Sequence, residues 1–124
     1  MPVITGAEAP TFELPEASFV GLAAPSRGAT ETSAWRVTLH AGGQAVPHSL
    51  TKEEIFVVIS GDAQATLAGV PHRLTAGDAL IVPPDTMFSL SSAGAEPCEL
   101  LAVLPVGGQA KLPDGEPFTP PWAQ

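Results

Sequence analysis

Turn-forming residues recur so closely along this chain that no long helix fits between them. They fall at Gly42-Gly43, Ser60-Gly61-Asp62, Gly69-Val70-Pro71, Gly77-Asp78, Pro83-Pro84-Asp85, Gly94 to Pro97, and Gly107-Gly108. In all, 12 glycines and 14 prolines punctuate 124 residues. Between the turns lie short runs: "WRVTLHA", "EIFVVIS", "AQATLAG", "HRLT", "ALIV", "MFSLS" and "CELLAVLP". Several are rich in β-branched and aromatic residues, and none carries an apolar period of 3.6. Short strands at this spacing predict an all-β sandwich or barrel.

The strands differ in how they divide their residues. "WRVTLHA" alternates, with Trp35, Val37 and Leu39 on one face and Arg36, Thr38 and His40 on the other. "EIFVVIS" is apolar on both faces, which predicts a strand covered on two sides. Residues 35–105 therefore read as the barrel core of a single domain. Residues 1–34, with Pro10, Pro15 and Pro25, read as an extended N-terminal arm holding one edge strand around Phe19 to Leu22. Residues 106–124 form a proline-rich C-terminal tail, whose Phe118 and Trp122 are expected to be pinned against the chain's own barrel, with a dimer contact as the second reading.

Composition excludes several functions. The formal net charge is −8, with only five lysines and arginines. So few scattered cations cannot neutralise a run of phosphates, which argues against nucleic acid and anionic membrane surfaces as partners. The lone Cys98 permits no intrachain disulfide and no multi-cysteine zinc site, and a buried, inert thiol is the expectation. The opening residues lack the basic start and apolar stretch of a secretory leader, and a cytoplasmic location is expected.

Two spaced patterns carry a resemblance. Gly42 is followed by five residues to His48, then Ser49 and Leu50, three residues to Glu54 and six to Gly61. Gly77 is followed by five residues to Pro83, then Pro84 and Asp85, two residues to Phe88 and three to Ser92. In spacing, these resemble the two motifs of the cupins. The resemblance implies a cupin-type double-stranded β-helix, a jelly-roll barrel, and a homodimer, because small cupins commonly pair through their sheets.

In metal-binding cupins the ligands are three histidines and a glutamate. The resemblance places His48 and Glu54 at two of those positions, and puts Leu50 and Phe88 where the other two histidines would be. His40 is the weak candidate for a third ligand, on condition that its strand face points inward. Alternation predicts that His48, Leu50, Glu54, Phe56 and Val58 share the inner face if the strand bends once between residues 50 and 54. With Met87, the residues Leu50, Phe56 and Phe88 would then make an apolar pocket anchored by His48 and Glu54. Two functions compete. One is a metal-free pocket for a small polar or carboxyl-bearing ligand. The other is a metal-dependent enzyme of oxygenase or isomerase type, holding zinc, manganese, iron, nickel or copper.

Overall fold

The computed structural model describes residues 3–124, and apart from two short 3-10 turns its regular structure is all β. Eleven strands follow in order: β1 (Thr11–Glu13), β2 (Ala17–Ala23), β3 (Thr32–Leu39), β4 (Ser49–Leu50), β5 (Glu54–Ser60) and β6 (Ala63–Leu67), then β7 (Val70–Leu74), β8 (Ala79–Val82), β9 (Phe88–Ser92), β10 (Cys98–Pro105) and β11 (Ala110–Lys111). Six of them make one antiparallel sheet in the order β1-β2-β3-β10-β5-β8. Facing it are the sheet β7-β6-β9 and the pair β11-β4, joined to each other through a bridge between His48 and Phe88. The result is a jelly-roll barrel. Among the described residues no helix is long and apolar enough to cross a membrane.

Strand alternation builds the core. Ser33, Trp35, Val37 and Leu39 point inward from β3, and Cys98, Leu100, Ala102 and Leu104 from β10, all at 6% exposure or less. Leu100 pairs with Val37 on one side and Val58 on the other, so three strands pack their inward residues in register. Each large side chain so buried is worth about 1.5–3 kcal/mol of transfer free energy.

Turn chemistry fixes the motif positions. Gly61 has a φ of +77°, and a Cβ there would lie 2.6 Å from the Pro97 carbonyl oxygen. Only glycine fits this corner, where the turn out of β5 abuts the start of β10. Asp85 takes a φ of 56° after the two prolines that end β8. Aspartate tolerates this left-handed conformation better than most residues, which is how it fills a place the motif gives to glycine.

Three expectations need correction. The N-terminal segment is not merely an arm, because seven-residue β2 pairs along β3 from Ala17 to Ala23. Nor is β2 an edge, since β1 flanks it through the pairs Thr11–Val20 to Glu13–Ser18. The sheet thus begins before residue 35, with β3 entering at Thr32. Finally, β5 is covered on one face only: Glu54, Phe56 and Val58 are buried, Ile55 and Val57 are half-buried, and Ile59 is 47% exposed. Its second apolar face lies on the outer surface of the six-stranded sheet.

The tail packs on its own chain. The rings of Trp122 and Phe19 stack 3.6 Å apart with planes 3° from parallel, and Phe12 meets Trp122 edge-on at 6.3 Å. Arg27 donates from Nη2 to the Trp122 carbonyl, at 3.1 Å, and Ser26 donates from Oγ to the Gln124 carbonyl.

Candidate functional site

The chain breaks direction once between Leu50 and Glu54. Leu50 sits in β4, paired with Ala110 of β11, and Glu54 opens β5, paired with Val82 of β8. A hydrogen bond from the Asp85 amide to the Leu50 carbonyl, 2.7 Å, holds the corner. The bend restores the alternation, so His48, Leu50, Glu54 and Phe56 all line one cavity of about 170 Å³ at one end of the barrel. Val58, further along β5, is buried in the core beyond that lining.

The cavity is overwhelmingly apolar. Six of the chain's seven aromatic residues line it: Phe19, Trp35, Phe56, Phe88, Phe118 and Trp122. The tail supplies Phe118, Pro120 and Trp122, and β2 supplies Phe19, neither of which the motif spacing indicates. Their signal in the sequence is only that large aromatics sit in proline-broken segments, where a packing partner is needed.

Glu54 is the unusual member. It is 3% exposed, and its carboxyl has no hydrogen-bond or ion-pair partner among the described residues. Burial in this apolar setting pushes its pKa well above the usual carboxylate range, with nothing opposing the shift. Burial by itself therefore favours the neutral carboxylic acid over the carboxylate.

His48 is held differently. Its amide donates to the Phe88 carbonyl at 3.0 Å and its own carbonyl accepts from Phe88 at 2.8 Å. The imidazole leans on the Phe88 ring, 4.3 Å between centroids, and Nδ1 lies 2.8 Å from the Val46 carbonyl. A carbonyl oxygen only accepts, so Nδ1 carries the proton and Nε2 is left as an acceptor in the neutral ring. Desolvation lowers the pKa of His48, against smaller raising effects from Val46 and Glu16. No hydrogen bond joins His48 to Glu54, so the two are not a mutually satisfied pair.

Two candidates lie elsewhere. His40 follows β3 in the outward phase of its alternation, opposite buried Leu39, and its Nε2 lies 3.3 Å from Ser18 Oγ and 3.7 Å from Glu13. It does not line the cavity. Met87 is 42% exposed because its neighbour Phe88, at 1%, takes the inward phase of β9. The remaining histidine, His72, is exposed on β7. Cys98 is fully buried, and desolvation raises its thiol pKa, so it is poorly reactive.

A metal ion fits this lining badly. No group of three or more His, Cys, Asp or Glu side chains converges among the described residues. Leu50 and Phe88 occupy the other two motif positions without a donor atom, which leaves His48 and Glu54 short of the three protein ligands of a usual catalytic site.

Comparison with known proteins places this geometry in a wider group. The cupin-domain family model matches residues 35–104. The polyketide cyclase RemF from Streptomyces resistomycificus superposes with a TM-score of 0.74 at 19% identity, covering 85% of this chain and 79% of that one. An RmlC-like cupin from Shewanella frigidimarina NCIMB 400 gives 0.71 at 19% identity, covering 82% and 86%. KdgF from Halomonas sp. gives 0.69 at 21% identity, covering 82% and 91%. Among curated proteins none matches the chain by sequence. At such identities the structural likeness speaks for the fold alone, while the family match spans more than half of the residues. With both spaced motifs inside or beside that match, and the jelly roll built around them, this chain belongs to the cupin family.

Proposed function

We propose that this cupin is a metal-free pocket protein that binds one small, largely apolar molecule, with Glu54 and His48 as its polar anchors. The observation that carries the reading is Glu54: a residue 3% exposed, its carboxyl without a hydrogen-bond or ion-pair partner among the described residues, lining an aromatic cavity. An unpaired buried polar group costs about 1–3 kcal/mol, a cost that a ligand donating to the carboxyl would offset. Size supports the same reading. A cavity of about 150 Å³ with apolar walls takes up benzene, so about 170 Å³ accommodates a single ring with a short substituent.

Trp35 and Trp122 both line the cavity and serve as built-in reporters. Toluene is expected to give a saturable change in tryptophan fluorescence and to raise the melting temperature. Both responses should vanish in Leu50→Trp, which fills the space. Zinc, manganese, iron, nickel and copper, added singly, should leave the melting temperature where it was. Stoichiometric metal that is lost on His48→Ala would overturn the reading in favour of the metal-dependent enzyme.

A further inference from the structure

The titratable groups of the cavity are few: Glu54 lies deep inside, and half-buried Glu16 is also among the lining residues. His48 offers Nε2, an acceptor once Nδ1 is engaged by the Val46 carbonyl. No lysine or arginine is among the lining residues. Apart from the indole N–H groups of Trp35 and Trp122, the side chains of the lining offer acceptors once Glu54 is ionised, and the only formal charge the lining can carry is negative unless His48 gains a proton. The carboxyl-bearing ligand expected from the sequence meets no cation in this lining.

The walls add to this preference. An organic cation is attracted to the faces of Trp and Phe within about 6 Å, and aromatic-lined cavities with few polar groups recognise ammonium groups this way. The whole chain, at −8, biases the approach of cations over anions. Glu54 is almost fully buried, its carboxyl has no hydrogen-bond or ion-pair partner among the described residues, and it lines the space a ligand would occupy.

Resting on the pocket reading above, we infer that the ligand is a primary or secondary amine on a ring-sized apolar body, its ammonium donating to Glu54 with His48 Nε2 and Glu16 as further acceptors. The charge balances by exchange. As the ammonium enters, a proton on the buried Glu54 carboxyl leaves to solvent, so the cavity gains no net charge. His48 and Glu16 are the other titratable groups of the lining; of the strands beside β5, β8 has none, and β10 has buried Cys98 and Glu99, the latter paired outside with Arg36 at 2.8 Å.

Three near-isosteric probes test this: benzylamine, benzyl alcohol and benzoate, titrated at neutral pH into the intact chain and into Glu54→Leu, with tryptophan fluorescence and calorimetry as readouts. Benzylamine should bind at least about tenfold more tightly than benzyl alcohol, because its hydrogen bond to Glu54 is charge-assisted. Benzoate should bind least. In Glu54→Leu the preference for amine over alcohol should fall to about unity while the alcohol still binds, which also reports that the variant is folded. Equal or tighter binding of benzyl alcohol or benzoate by the intact chain overturns the inference, as does an amine preference that survives in Glu54→Leu. If toluene binds and benzylamine does not, the amine assignment fails and the pocket reading stands. If neither binds, both fail.

Discussion

Strand β5 runs along the barrel, and its inward residues Glu54, Phe56 and Val58 meet different surroundings along the way. Val58 sits opposite Leu100, with Cys98, Ala63 and Ala65 in the same buried cluster, all at 2% exposure or less. Small residues on the short sheet let the two layers close around Val58 and Leu100, neither of which lines the cavity. At the Glu54 end the short sheet gives way to β4 and the tail, whose prolines prevent continuous strand pairing. There a single bridge between Ala110 and Phe118 and the Trp122–Phe19 stack cover the opening. The same inward alternation therefore makes solid core where sheets meet and a cavity where a proline-broken tail substitutes for a strand.

Matched truncations at the two ends expose the difference most strongly. Leu100→Ala at the closed end should cost about 3 kcal/mol or more, since a fully buried leucine leaves a void that its surroundings refill only in part. Leu50→Ala at the open end should cost distinctly less, because one side of Leu50 already faces the cavity and has fewer contacts to lose. Urea unfolding of both variants checks this. Equal losses would mean that the cavity end is packed as tightly as the other.

Next in size is the cover itself. Trp122→Ala removes a stacked contact with Phe19 and an edge contact with Phe12, and a loss of about 2 kcal/mol is expected for a half-buried ring so placed. Phe118→Ala, at 44% exposure, should cost about 1 kcal/mol or less. Thermal melts that rank these two the other way round would show that Phe118 rather than Trp122 fastens the tail.

The closed end was easier to read from sequence than the open end. "WRVTLHA" and "CELLAVLP" show their parity or apolar run directly, and both became central strands. β2 was harder to recognise because Gly21 and the flanking Pro15 and Pro25 lower its local strand preference; pairing with β3, which is not local, decides it. The same limit separates Met87 from Phe88. After the turn at Pro83, Pro84 and Asp85, which residue regains the inward phase depends on the register of β9 against β6, and one step exchanges the faces. His40 failed as a ligand by the reverse logic: Trp35, Val37 and Leu39 claimed the interior, and parity left His40 outside. The spacing of His48, Leu50, Glu54 and Phe56 was sufficient because the bend between 50 and 54 keeps them in phase.

The smallest effects concern Glu54, where the open end carries a cost that the closed end does not. Glu54→Leu should stabilise the unliganded chain by about 1 kcal/mol at neutral pH, since an unpartnered buried carboxyl is replaced by an apolar group of similar volume. The folded carboxyl titrates well above the usual range and the unfolded one within it, so between the two the folded state holds more protons. Stability from this group is full below the ordinary carboxylate range and falls as pH rises toward the folded pKa, at no more than about 1.4 kcal/mol per pH unit. His48 works in the other direction: its depressed pKa gives stability that is full above the ordinary imidazole range and is lost as pH falls through it. Glu54→Gln should therefore flatten the decline that begins above the carboxylate range and leave the loss from His48 in place. Melting temperatures across acid to neutral pH would show it, and a wild-type decline that persists unchanged in Glu54→Gln would mean that the carboxyl is ionised in the folded chain.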